Sequence, residues 1–200
     1  MSTLARYLLL AQVGFFLALA VCAVIEPEGL NDNHGWSYYE GRGETVAPYL
    51  LGILGGILLI VYASFVAERS AAPARLVGGL RLLALFLFLD VATPDTINVV
   101  LYWAHDLAST ILFLYQLGFA IWLVRTIWRT RLGIALLCVQ LAGGLVAMFS
   151  QFQVIPLLGL GILVFQLSFG ILLVAATAPL RSVVPDESRA GEEVPAPAVN

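Results

Sequence analysis

The chain has no lysine; all ten of its basic residues are arginine. It has two cysteines and two histidines, and only 12% of its residues are charged. A soluble domain of ordinary composition is about 25% charged and about 45–50% apolar. Here 60% of residues are hydrophobic and the mean hydropathy is +0.94. So few polar groups cannot cover a soluble globule. Nucleic acid is excluded as a partner, because no basic stripe is present to neutralise phosphates. A zinc centre usually draws three or more good ligands at helical spacing. The two histidines, His34 and His105, stand far apart, so no metal is assigned, and no cofactor can be named. No P-loop, GxSxG elbow, HExxH or CxxC occurs. Cys22 and Cys138 each fall within an apolar stretch and read as buried small hydrophobes rather than a disulfide.

What the sequence does have is long apolar runs. A membrane-spanning helix needs about 20 predominantly apolar residues. Six stretches qualify: Leu4–Ile25, Val46–Ala67, Val77–Ala92, Val99–Val124, Leu132–Phe152 and Leu157–Pro179. The third is short and contains Asp90. The first is read as a retained helix rather than a cleaved signal, since valine precedes Cys22 where a lipoprotein signal carries a small residue. The expected architecture is all-α: a polytopic membrane protein with a six-transmembrane-helix bundle over residues 1–180. Residues 181–200, rich in Pro, Glu and Ala, read as a disordered cytoplasmic tail.

Cytoplasmic loops are enriched in arginine and lysine. Nine of the ten arginines lie at the N-terminus, the second and fourth connections and the C-terminal tail; only Arg42 falls elsewhere. Both termini are therefore expected in the cytoplasm, and the first, third and fifth connections outside. Arg81, a turn inside the third run, can snorkel to the cytoplasmic surface. Tyr102 and Trp103 would mark the outer interface of the fourth helix, and Trp122 and Trp128 the inner one. The one long connection, residues 26–45, carries five carboxylates and three aromatics and is a candidate cap over the outer mouth.

An ionisable residue inside a span is a functional-site hypothesis, because burying it costs about 2.5–3.5 kcal/mol or more. Asp90, His105 and Asp106 are expected near the outer rim. His105, Ser109, Leu112 and Gln116 share one helix face, with Tyr102 a turn earlier. A polar stripe facing lipid would be unfavourable, so this face should look inward. Thr93 before Pro94 reads as a helix cap followed by proline at the first helical position. The candidate catalytic residues are Asp90, His105 and Asp106. The candidate ligand-binding residues are Tyr102, Ser109, Gln116, His34, Glu40 and Glu44. Three chemistries suit this set: a carboxylate-oriented histidine base, a divalent cation site, or a proton relay. A plain interhelical hydrogen bond at the wet rim suits it as well.

Gln12, Gln116, Gln140 and Gln166 lie inside their spans beside small residues, as interhelical hydrogen bonding requires. A polar layer holding a quinone or a lipid headgroup is the other reading. The pairs Gly52/Gly56 and Gly143/Ala147 suit close helix packing, within the chain or between copies of it.

The outer-loop "SYY" (Ser37, Tyr38, Tyr39) with nearby Arg42, the proline closing the third helix (Pro94) and the histidine opening the fourth (His105) resemble uncharacterised bacterial six-helix membrane proteins. Those group loosely with the DRAM-like, autophagy-modulator type superfamily. The resemblance implies six helices and cytoplasmic termini, and it carries over no catalytic residue. Together these readings lead to the expectation of a multi-pass protein of a bacterial plasma (inner) membrane, with membrane lipids as its partners. A homo-oligomer or a membrane-protein partner is left open. A non-catalytic accessory or lipid-binding role stands first. An enzyme acting on a lipid or isoprenoid through Asp90, His105 and Asp106 stands second, and a small transporter third.

Overall fold

A computed structural model describes residues 1–30, 35–70, 72–94 and 98–180. Among them the chain forms six α-helices and no strand: α1 (Thr3–Ile25), α2 (Val46–Arg69), α3 (Ala74–Val91), α4 (Val99–Thr126), α5 (Arg131–Gln151) and α6 (Leu158–Thr177). The 181–200 tail and His34 lie outside the described residues.

Local chemistry sets the helix starts. A helix leaves its first N–H groups without partners, and a side-chain oxygen just before it satisfies one of them. Ser2 Oγ accepts from Ala5 N at 3.1 Å, Asn98 Oδ1 from Leu101 N at 2.9 Å, and Thr130 Oγ1 from Gly133 N at 3.0 Å. The expected start at Thr93–Pro94 is corrected here. Thr93 instead closes α3, its Oγ1 donating to the carbonyls of Leu89 and Asp90 at 2.9 and 3.1 Å. Late carbonyls of a helix are as short of partners as early N–H groups, and a threonine hydroxyl serves either end.

Five helices are long and apolar enough to cross a membrane, and α3 is not among them. It has 18 residues, about 27 Å at a rise of about 1.5 Å. Arg75, Arg81 and Asp90 fall within it. Arg81 pairs with Glu68 of α2 at 2.6 Å and lies over the Phe65 ring.

The helices alternate in direction, as contacts between their ends establish. Ser2 Oγ donates to the Thr177 carbonyl at 2.9 Å, joining the start of α1 to the end of α6. Cys22 near the end of α1 meets the Thr45 carbonyl at the start of α2. The Arg81–Glu68 pair joins α2 to α3, and Asp90 meets α4 at the opposite end. One end of the molecule therefore carries Arg6, Arg69, Arg75, Arg125, Arg129 and Arg131. The other carries Arg42.

Packing follows side-chain size. α1 lies between α2 and α6, α3 between α2 and α4, and α4 touches both α5 and α6. α5 is pressed against α6 where small residues remove the side chains between the backbones. A Cβ on Gly143 would stand 2.7 Å from Phe165 N, and one on Gly161 would strike Ala147 N. The α1–α2 crossing is equally close: a Cβ on Gly52 would strike that of Ala18. Both small-residue pairs are thus used within the chain. Outward faces are apolar instead, as with Val24, Leu51, Leu58 and Leu114, each more than 60% exposed. A helix apolar on all sides belongs in a large core or in lipid. Cys138 joins that exposed surface, which corrects its expected burial, while Cys22 is fully buried. α5 covers α6 with one face only, so Cys138 on the other face has nothing over it.

Candidate functional site

The end of α3 and the first turns of α4 bring together Asp90, His105 and Ser109. His105 is 9% exposed and faces the protein. Its Nδ1 lies 3.2 Å from the Asp90 backbone carbonyl. A carbonyl can only accept, so Nδ1 carries the proton. The imidazole thereby satisfies one of the last carbonyls of α3, which basic side chains near a helix C-terminus favourably do. Ser109, one turn further along α4, donates a short hydrogen bond from Oγ to Asp90 Oδ1. The same Oγ lies 3.4 Å from His105 Nε2.

Ser109 has one proton, and it goes to the carboxylate. With His105 neutral, Nε2 then offers a lone pair to an oxygen that has no proton left to give. With His105 protonated, Nε2–H donates to Ser109 Oγ, and an unbroken chain runs from imidazolium through hydroxyl to carboxylate.

The other candidates lie apart. Asp106 follows His105 but is only half-buried, on the flank of the stripe, and makes no hydrogen bond or ion pair among the described residues. Tyr102 is 41% exposed and stacks edge-on with Trp103. The inward face expected for it is corrected: three residues from the start of α4, its ring stands largely open to the outside. Gln116 sits about 16 Å further along α4 at a rise of about 1.5 Å per residue. There it exchanges two hydrogen bonds with Gln166 of α6, at 3.1 and 3.0 Å. Gln12 packs its carboxamide over Gly170. Gln140 is fully buried, and neither its Oε1 nor its Nε2 has a partner.

The connection between α1 and α2 folds into single 3-10 turns at Pro27–Leu30 and Trp36–Tyr39. Its fastening runs to α1 and to itself. Trp36 packs on Phe15 and Phe16, Tyr38 Oη meets Glu26 Oε1 at 3.4 Å, and Thr45 Oγ1 donates to the Tyr39 carbonyl at 2.8 Å. Burial pushes the Tyr39 phenol above its usual range, with nearby Cys22, Tyr38 and Glu26 adding to the shift. Glu44 is exposed and Glu40 half-buried. Among the described residues no three His, Cys, Asp or Glu side chains gather as a metal site would need.

Sequence reasoning placed Asp90 and His105 near each other and put Ser109 on the same face as His105. It left open which atoms of that set would pair. The Asp90 side chain goes to Ser109, while His105 takes the Asp90 main chain. The i, i+4 spacing of His105 and Ser109 was the available signal, since two such residues can hold two different atoms of one facing residue. No family model, curated protein or solved structure matches the chain.

Proposed function

We propose that this chain is a bacterial plasma-membrane protein that crosses the bilayer six times with both termini in the cytoplasm. We further propose that it serves as a non-catalytic accessory or lipid-binding protein, with Asp90, His105 and Ser109 forming the polar joint of its outward mouth. The observation that carries this reading is how the three residues spend their polar atoms. His105 closes the end of α3 and Ser109 holds the Asp90 carboxylate, so the cluster ties two helix ends together where polar groups cost little. The arginine-rich end supports the orientation through the positive-inside bias. Pairing Arg81 with Glu68 offsets two of the charges that α3 and its neighbour would bring into lipid. Six spans with both ends inside is also the layout that the DRAM-like resemblance implies.

Orientation has a direct test. Cys22 and Cys138 are first replaced by alanine. A single cysteine at Glu44 (Glu44→Cys) should then react with a membrane-impermeant maleimide on intact cells. One at Arg129 (Arg129→Cys) should react only after permeabilisation. The reverse pattern would turn the molecule over and place the mouth in the cytoplasm.

One observation favours a second reading, a lipid-acting enzyme. His105 Nε2 stands beside Ser109 Oγ, the arrangement of a base and the nucleophile it activates. Ser109 would then be the nucleophile, its proton turned from Asp90 Oδ1 to His105 Nε2. A fluorophosphonate probe separates the two readings. The joint predicts no adduct on Ser109. A covalent adduct on Ser109 that disappears in Ser109→Ala and His105→Ala would establish the enzyme.

A further inference from the structure

Between Asp106 and Asp186 the chain has no Asp or Glu, and its cations there are Arg125, Arg129, Arg131 and Arg181. The first three fall within the short stretch that ends α4 and begins α5. All three are exposed, and none forms an ion pair among the described residues. The other arginines of this end are placed differently. Arg69 and Arg75 share their connection with Glu68, which holds Arg81. Arg6 is a single cation at the start of α1.

The turn that carries the three arginines is firmly built. The N–H groups of Ile127 and Trp128 both donate to the Leu123 carbonyl at 2.9 Å, and Thr130 N donates to the Trp128 carbonyl at 2.8 Å. Thr130 Oγ1 caps α5 through Gly133 N. The half-buried Trp128 packs against the core and lies over Gly133, where an added Cβ would stand 2.7 Å from its carbonyl and 3.2 Å from its ring. Three like charges are thus carried on a fixed piece of backbone, where each repels the others. An anion set among them relieves that repulsion, and the backbone needs no ordering first.

The position of the turn decides which anion that is. It joins two membrane-length helices, which puts it at the level of lipid headgroups, and tryptophan is enriched at that level. The anions there are lipid phosphates. A guanidinium can donate two parallel hydrogen bonds to a phosphate, and each arginine near an anionic leaflet is worth about fivefold in binding. A zwitterionic lipid brings an ammonium that three guanidiniums would repel. The chain's own Asp186, Glu187, Glu192 and Glu193 are accompanied by Arg181 and Arg189, so they offer the turn a weaker field than a leaflet of phosphates does.

We infer that the α4–α5 turn binds the headgroup of an anionic phospholipid of the phosphatidylglycerol type through Arg125, Arg129 and Arg131. The inference rests on the membrane reading above. It gives the lipid-binding role a ligand and a place, at the end of the molecule away from Asp90, His105 and Ser109.

The test uses the full chain with Trp36, Trp103 and Trp122 replaced by phenylalanine, so that Trp128 is the tryptophan left. The protein is reconstituted in phosphatidylethanolamine vesicles. Brominated phosphatidylglycerol or brominated phosphatidylethanolamine, both quenchers of tryptophan, is then raised stepwise. Quenching of Trp128 should select the glycerol lipid by at least about fivefold. Arg125→Gln, Arg129→Gln and Arg131→Gln together should bring the two lipids to parity, and Arg129→Gln alone should go part-way. Arg6→Gln, Arg69→Gln and Arg75→Gln together remove as many charges from the same end and should leave the selection in place. Parity in the starting protein would overturn the inference. So would equal loss in the two triple variants, since the selection would then belong to the whole charged end. Stronger selection after Asp186→Asn, Glu187→Gln, Glu192→Gln and Glu193→Gln together would also overturn it, by giving the turn to the chain's own carboxylates. Alkaline carbonate extraction of the same vesicles keeps the two failures apart. Release of the protein sinks the membrane reading itself, whereas a retained protein with parity sinks only the arginine site.

Discussion

Replacing Gly161 with valine should largely abolish the folded protein. A Cβ at this position strikes the backbone nitrogen of Ala147, and Gly143 across the same crossing stands as close to the backbone of Phe165. A flexible side chain could swing aside, but a helix backbone cannot. The two helices must therefore part, and the contacts that flank the crossing are lost with it. Overpacking a core costs typically about 1–3 kcal/mol even where neighbours can give, so at least about 3 kcal/mol is expected here. Thermal unfolding in detergent, followed by the loss of a monodisperse peak, would measure it. Gly161→Ala should fall part-way. Gly78→Ala, where a Cβ meets nothing within 4 Å, should be neutral or slightly stabilising, because alanine is the better helix former. If Gly161→Val melts with Gly78→Ala, the close α5–α6 crossing is wrong.

Gln140→Leu should move stability the other way. Its carboxamide is fully buried with no partner on either atom. Burying such a group unpaired costs about 1–3 kcal/mol by protein mutational measures. Leucine fills nearly the same space without that cost, so a gain of this order is expected, visible as a raised Tm. The same exchange at Gln116 should be destabilising, because it strips Gln166 of both its hydrogen bonds. Two glutamines in similar sequence contexts thus give opposite signs. A loss of stability in Gln140→Leu would mean that the amide has a partner after all.

Much of the helical framework was legible in advance because its cause is local. The expected runs and the observed helices agree to within three residues at every end. Apolar length and the capping residues at Ser2, Asn98 and Thr130 act within a few positions of the chain. α3 is the instructive exception. Its apolar pattern was read correctly as a helix, but its three charges set it apart from the five membrane-length helices. The Thr93–Pro94 error has a similar source. A threonine suits the start or the end of a helix equally, and only the helix on which its hydroxyl folds back decides which. Tyr102 failed for a geometric reason: a shared helix face says where a side chain points, and not whether a neighbour is there to cover it.

The candidate site divides along the same line. Periodicity alone put His105, Ser109 and Gln116 on one face, and the cost of turning polar groups to lipid aimed that face inward. It could not say that His105 would take the main chain of Asp90 and leave the carboxylate to Ser109. That choice depends on the rotation and height of α3 against α4, to within a fraction of an ångström. The four glutamines make the point again. Composition made all of them equal, and packing gave two of them each other, one a glycine to lie against and one nothing. Local physics, in short runs of residues, was enough to decide helices, their apolar surfaces and the gathering of arginine at one end. Pairings between distant residues came into being only when the helices met.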